Sequence, residues 1–270
     1  MSALELDQRS VKVVVIGSQL VYGAVGNNTV ARMIEAAGQR CVQVPTVQLS
    51  NLPHYPSVGG GVISDQWLGE FLDDLLAREV LAATEYVFVG YLGQASQAKI
   101  IAQWLDRARG QYPQLKLIVD PAMGDRDVGL YTQPEVAQAY AEQLVDQAWL
   151  LTPNAFELEL LSGEAVLDEQ DAANAALDLI ERGCTHVLVT SAPTDVPSLI
   201  GTLLAVDSET FEQVDTALVE TTAKGAGDCF AGLLIGQLLT GSTLLDAVQQ
   251  AVADTATALS GKHPLFSPEH

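Results

Sequence analysis

The residues best suited to chemistry gather in Lys224-Gly225-Ala226-Gly227-Asp228-Cys229-Phe230, a glycine-rich stretch that opens the apolar run 230–239. A glycine loop leading into a helix start suits an anion. The first amides of a helix have no internal partner, and the dipole is positive there. Gly225 and Gly227 carry no Cβ, so the backbone can approach a phosphate closely. Asp228 is the odd member. A carboxylate in an anion site repels phosphate unless it has separate work, such as accepting a proton from an attacking hydroxyl. Taken alone, the same residues also read as a tight turn with a helix cap, so the rest of the chain has to decide.

A second group is spaced along the chain rather than clustered. Ser18, Thr46, Tyr91, Asp120, Thr152 and Thr190 each follow or close a short apolar run. Those runs are 11–16 (VKVVVI), 41–46, 86–90, 115–119, 148–151 and 186–190, rich in β-branched residues, as expected of strands buried on both faces of a parallel sheet. Helical patterns separate them: 28–37 stopped by Gly38, 65–78 with Asp65 as cap, 96–110, a helix from Pro134, 170–182, 230–239 and 244–259. Runs 201–206 and 210–214 read as a hairpin. Strand and helix alternate without repeat or linker, which predicts a single domain over residues 1–270: a three-layer α/β/α sandwich with a mostly parallel central sheet. Open parallel sheets bind ligands at the carboxyl ends of their strands, so the six residues and the start of the Asp228 helix converge on one edge.

Three further stretches deserve placing. Residues 46–64, with Pro45 just before them, hold Pro53, Pro56 and the triple Gly59-Gly60-Gly61 and carry Asn51, His54 and Tyr55, groups able to cover a ligand; the expectation there is a loop. Residues 122–131, beyond Asp120, bring two glycines, Asp125, Asp127 and Tyr131, which suggests a mobile loop beside a metal or else a solvated acidic turn. Asn154 and Glu157 are three apart, so they either share a helical face that holds water or a cation or form a capping box.

Composition narrows the function. Thirteen basic against thirty-four acidic residues give a net charge of −21, which argues against nucleic acid or an anionic membrane as partner. An acidic chain that handles phosphate must draw positive potential from backbone amides, a metal ion or a few cations. No apolar run reaches membrane-span length, and the first residues are acidic, so a cytoplasmic protein without a signal peptide is expected. Cys41, Cys184 and Cys229 are too scattered for a disulfide framework or zinc site and read as small core residues. Gly17, Gly23 and Gly26 do not make the G-x-G-x-x-G spacing, and no acidic residue closes the second strand, so a nicotinamide enzyme is not expected.

The chain resembles the ribokinase-like superfamily, and within it the pyridoxal (pyridoxine, pyridoxamine) kinases, over nearly its whole length. The resemblance rests on Gly17-Ser18-Gln19 with Val21-Tyr22-Gly23-Ala24-Val25-Gly26-Asn27, Val44-Pro45-Thr46-Val47 with Leu49-Ser50-Asn51, and Pro53-His54-Tyr55. It continues in Gly90-Tyr91-Leu92-Gly93, Val119-Asp120-Pro121 through Gly124-Asp125, Thr152-Pro153-Asn154 with Phe156-Glu157-Leu158-Glu159, Val189-Thr190-Ser191 and Gly225-Ala226-Gly227-Asp228. It implies ATP-dependent phosphorylation of the 5′-hydroxymethyl of pyridoxal, pyridoxine and pyridoxamine, with Asp228 as base and the amides of Gly225, Ala226 and Gly227 as anion hole. Ser18, Val25, Thr46, His54, Tyr91 and Lys224 would form the vitamin side. Asp120, Thr152, Glu157, Thr190 and Ser191 would form the ATP side, with Mg²⁺ near Asp120, Glu157 and Tyr131. A monovalent cation such as K⁺ and a homodimer are further implications.

Two details qualify the resemblance. Ala226 stands where the family usually has threonine, which keeps the amide and loses a hydroxyl. Lys224 invites a Schiff base with pyridoxal or its phosphate, against the plainer reading of a solvated lysine. The neighbouring family, hydroxymethylpyrimidine kinase, is the nearer rival, although its motif-loop cysteine precedes the aspartate position whereas Cys229 follows it. A non-catalytic pyridoxal-phosphate carrier on the same fold is the rival of another class.

Overall fold

The computed structural model describes residues 10–207, 210–219, 221 and 223–261. In chain order these form β1 (Val13–Leu20), α1 (Asn27–Ala36), β2 (Cys41–Leu49), β3 (Gly60–Val62), α2 (Asp65–Ala77), β4 (Tyr86–Val89), α3 (Ser96–Gln111) and β5 (Lys116–Val119). The small hairpin β6 (Gly124–Asp125) and β7 (Gly129–Leu130) follows, then α4 (Pro134–Gln143), β8 (Leu150–Leu151), α5 (Ala155–Ser162) and α6 (Glu169–Glu181). The chain continues through β9 (His186–Ala192), β10 (Leu199–Ala205), β11 (Phe211–Ala217), α7 (Ala226–Leu239) and α8 (Leu244–Leu259).

Nine strands make one sheet in the order β11-β10-β9-β8-β5-β4-β1-β2-β3. The inner pairings from β9 to β2 are parallel, and only β3, β10 and β11 join antiparallel at the edges. The buried runs explain the layering, because successive side chains of a strand leave opposite faces. Val13, Val15, Phe88, Ile118, Leu150 and Leu188 pack with α1, α7 and α8. Val14, Ile16, Val87, Val89, Leu117 and Val119 pack with the opposite layer, which holds α2 through α6. The three-layer expectation is met. Close packing of α1 on α7 depends on Gly232, where a β-carbon would sit 2.7 Å from Met33 Cβ and 2.8 Å from Val30 O.

Three local expectations are corrected. The first strand does not stop at Ile16 but continues to Leu20, because β2 continues beside it and Asn28 then closes the end, its side chain bonding both Leu20 N and Leu20 O at 2.9 Å. Residues 46–64 are not all loop: β2 runs to Leu49 and the chain returns as β3. The cap of α2 is Ser64, whose hydroxyl accepts from Trp67 N at 3.2 Å; Asp65 is the first helical residue and instead accepts from Gln94 and Ser96. The three cysteines are buried, as expected, and burial pushes each thiol up to about 12. Among the described residues no helix is long and apolar enough to cross a membrane.

Candidate active site

Strand order reverses direction at β1, which has β4 on one side and β2 on the other. A crevice is expected at the carboxyl ends there, and Ser18, Thr46, Tyr91 and Asp120 stand in the carboxyl-terminal halves of β1, β2, β4 and β5 or just past their ends. Strand β2 carries one extra residue opposite β1: Gly17 pairs with Pro45 and Ser18 with Val47, leaving Thr46 as a bulge. Bulges beside active sites re-aim a side chain. Thr46 is fully buried, its hydroxyl donates to Tyr91 O at 2.6 Å, and its carbonyl accepts from Ile63 N and from Gln97 Nε2 at 2.9 Å. Gln97 also accepts from Gly93 N at 2.9 Å, so one buried amide side chain fixes both the Thr46 bulge and the loop after Tyr91. Sequence reasoning missed Gln97. Its signal was a glutamine on the apolar stripe of α3, in line with Ile101, Trp104 and Ala108.

The loop 21–26 then brings the vitamin side to the motif loop. Gly26, at φ 57°, lies so close to β1 that a β-carbon would be 2.1 Å from Ser18 Oγ. Its backbone N–H lies on the Asp228 side and lowers the proton affinity of that carboxylate. Gly225, at φ 90°, is the residue before α7, and a β-carbon there would stand 2.4 Å from Ala24 O and 3.2 Å from Val25 Cγ1. Ser18, Val25, Gly225 and Asp228 are thus one packed unit. Ala226 and Gly227 start the helix, so their amides are among the first of α7, which have no partner within the helix.

On the other flank, Asp120 follows β5, and its Oδ2 is 4.0 Å from where a Gly227 β-carbon would be. Asp120, Glu157 and Asp228 face one another. Burial raises the Asp120 carboxyl well above the usual carboxylate range, with Glu157 and Asp228 adding repulsion. Burial likewise lifts Asp228 to about 6, opposed by the Gly26 N–H. Glu157, 2% exposed, rises to about 7 through burial, opposed by bonds from the backbone of Asn154, Met123 and Gly124. Such a knot of desolvated carboxylates fits a divalent cation, which offsets the repulsion and needs oxygen donors. Among the described residues no group of three or more His, Cys, Asp or Glu is placed to hold a metal ion; magnesium can be held by one or two carboxylates with water and phosphate oxygens completing its shell.

Asn154 and Glu157 form the capping box of α5, with Glu157 N donating to Asn154 Oδ1 and Asn154 N to Glu157 Oε2, both at 2.9 Å. They also pin the hairpin β6–β7. Glu157 Oε1 accepts from Met123 N at 2.9 Å, and Asn154 Nδ2 donates to Gly124 O at 2.9 Å. Of the two expectations for this pair, the structure shows the capping box. Tyr131 stands half-exposed just past β7, its N–H bonded to Met123 O at 2.9 Å. Burial and the carboxylates raise its phenol, so it offers a neutral hydroxyl rather than a phenolate. Glu157→Gln replaces one acceptor oxygen with a donor facing backbone N–H groups. It should lower the urea midpoint by the equivalent of about 1–3 kcal/mol, and an unchanged midpoint would contradict this account of the hairpin root.

Thr152 follows β8, is buried, and bonds Val119 O through its N–H at 2.9 Å. Thr190 N donates to Pro153 O at 2.8 Å. Ser191 is the extra residue of a second bulge, since Thr202 pairs with Thr190 and Gly201 with Ala192, and it takes a left-handed φ of 52°. Strained non-glycine backbone of this kind gathers at functional sites. His54 stands apart on the exposed loop 51–59, stacked on Tyr55, and Lys224 is exposed beside the motif loop.

Known proteins resemble this chain over most of its length. The family model described as "Phosphomethylpyrimidine kinase" matches residues 70–267. The pyridoxine/pyridoxal/pyridoxamine kinase of Bordetella avium is 44% identical over 249 residues, covering 92% of this chain and 84% of that protein. The crystal structure of pyridoxal kinase from Entamoeba histolytica superposes with a TM-score of 0.86 at 26% identity, over 94% of this chain and 90% of its own. Pyridoxal kinase from Leishmania donovani, solved in complex with ADP and pyridoxamine, gives a TM-score of 0.84 at 27% identity, over 93% and 86%.

Proposed function

Since this chain belongs to the pyridoxine/pyridoxal/pyridoxamine kinases, in the wider family of the phosphomethylpyrimidine kinase model, we propose that it is an ATP-dependent kinase acting on the 5′-hydroxymethyl of pyridoxal, pyridoxine and pyridoxamine. One observation carries the residue roles: the Asp228 carboxylate sits in the first turn of α7, directly after the glycine loop that packs on Ala24 and Val25. A base and a phosphate cradle thereby share one helix end.

Asp228 takes the proton of the attacking hydroxyl, and its raised affinity for protons suits a base working near neutrality. Backbone N–H groups of Gly225, Ala226 and Gly227 donate to the transferred phosphoryl, where charge accumulates. The loss of the family's threonine hydroxyl at Ala226 leaves these amides intact. Ser18, Val25, Thr46, Tyr91 and His54 hold the vitamin, with Lys224 at its margin. Thr152, Thr190 and Ser191 hold the nucleotide. Asp120 and Glu157, with the Tyr131 hydroxyl nearby, would hold Mg²⁺, which supplies charge neutralisation of the phosphates. In-line positioning does most of the remaining work. Homodimer assembly, a cytoplasmic location and a monovalent cation such as K⁺ belong to the same proposal and rest on the resemblance.

The test is ADP release with Mg·ATP and pyridoxal, pyridoxine, pyridoxamine or hydroxymethylpyrimidine as acceptor. Turnover on the B6 alcohols is the expected result. Turnover confined to hydroxymethylpyrimidine would move the substrate to the neighbouring family, a reading favoured by the description of the matching family model. Pyridoxal phosphate bound without ADP formation from any acceptor would leave a carrier and defeat the catalytic reading.

A further inference from the structure

Two segments leave the β1–β2 ladder side by side. Its spacing persists one step past the strands, with Val21 N donating to Leu49 O and Tyr22 N to Ser50 O, both at 2.9 Å. The second segment is then stitched to itself. Ser50 N donates to Gly59 O at 2.9 Å, Gly59 N to Ser50 Oγ at 2.8 Å, and Asn51 Nδ2 to Ser57 O at 2.8 Å. At its tip Tyr55 stacks on His54, with ring centroids 4.7 Å apart at 25°. Across the gap the Tyr22 ring meets Tyr55 in a T-shaped contact at 6.3 Å and 70°. Both tyrosines are otherwise open to solvent, 69% exposed at Tyr22 and 44% at Tyr55, so burial does not explain their pairing. The Tyr22 loop is the one whose Ala24 carbonyl seats Gly225 and whose Gly26 closes on Ser18.

We infer that Tyr22 is a positioning residue for the vitamin: through its edge-to-face contact with Tyr55 it latches the His54 loop to the loop that carries Val25 and Gly26, so that both walls of the vitamin side close together. The inference rests on the kinase reading above. Edge-to-face ring pairs are worth a fraction of to somewhat more than one tenfold step in an equilibrium. The latch should therefore act on vitamin binding and leave the nucleotide flank, built on β5, β8 and β9, unaffected.

Steady-state kinetics on the intact protein tests this, with pyridoxal varied at saturating Mg·ATP and then the reverse. In Tyr22→Ala and in Tyr55→Ala the KM for pyridoxal should rise about three- to tenfold, with no further rise in the double variant. The KM for Mg·ATP should stay unchanged, and Tyr22→Phe, which keeps the ring, should behave as wild type. An unchanged pyridoxal KM, additive effects in the double variant, or equal rises in both KM values would overturn the latch. Failure of the wild type to phosphorylate pyridoxal would instead defeat the kinase reading. Hydrogen exchange then decides the latch alone: amides of residues 51–59 exchange faster in Tyr22→Ala if it exists, and at the wild-type rate if it does not.

Discussion

Asp228→Asn should lower kcat by roughly two to four powers of ten, the contribution typical of a positioned general base, while the KM values for pyridoxal and Mg·ATP change little. Asparagine keeps the shape and still offers an amide oxygen on the side of the Gly26 N–H, but it cannot take a proton. In the unaltered protein burial holds the Asp228 carboxyl at about 6, so the basic form is depleted as pH falls through that value. The rate should accordingly fall on the acid side of about pH 6, and this limb should vanish in the residual activity of the variant. The effect on stability has the opposite sign. A carboxylate whose folded pKa is raised destabilises the fold above about pH 6, and the cost is relieved as protonation sets in towards the ordinary value of 3.8. Removing the charge also relieves Asp120. Asp228→Asn should thus be more stable than wild type at pH 8, by about 1–3 kcal/mol, and no more stable at pH 4. Thermal melts at both values check this. A variant that retains more than a tenth of wild-type kcat would remove Asp228 from the base's role.

How far the sequence discloses this site depends on which force placed each residue. The central strands were legible because burial on both faces demands unbroken β-branched runs, and Val13 to Ile16 or Val87 to Val89 show them plainly. Their ends were not. Gly17 looks like a stop, yet partner pairing carries β1 on to Leu20. Thr46 was picked out for standing at a strand end and Ser191 through the resemblance, but their true setting is a bulge in each case, and a bulge is fixed by register between strands rather than by local pattern. Asp228 and the two glycines of its loop could be read directly, since the required chemistry is local: a helix start, free amides and residues without a Cβ. Gln97, which fixes Thr46 from a different element, becomes intelligible only once α3 is laid against β2. The convergence of strand ends was legible from topology rules, whereas the packing of Gly225 on Ala24 and Val25 joins residues some two hundred positions apart and no spacing announces it.

The packing of Gly26 on Ser18, beside Asp228, makes Gly26 the second position of large effect. Gly26→Ala should reduce kcat/KM for pyridoxal by about a hundredfold, the scale of an ångström misplacement at a reacting group, with only a modest fall in melting temperature. Two separate costs arise. At φ 57° an alanine is in the left-handed region, which disfavours it by about 1 kcal/mol. Its β-carbon would also sit 2.1 Å from Ser18 Oγ and 2.5 Å from Ser18 O. The hydroxyl could rotate away, but the carbonyl belongs to the stretch of β1 still in register with β2 and moves only with that strand. The loop 23–26 must therefore lift off β1. In doing so it withdraws the N–H from Asp228, unseats Gly225 from Ala24 O, and disturbs the first turn of α1, where Thr29 N and Val30 N donate to Gly26 O at 3.0 Å. Gly38→Ala separates the two costs, because Gly38 is also left-handed, at φ 75°, yet nothing lies within 4 Å of its β-carbon position. That variant should lose comparable conformational stability and keep its activity. Matching activities for the two would mean that contact between the Gly26 loop and Ser18 does not set the catalytic geometry. A collapse in Gly26→Ala alone would tie turnover to the seat of one backbone amide.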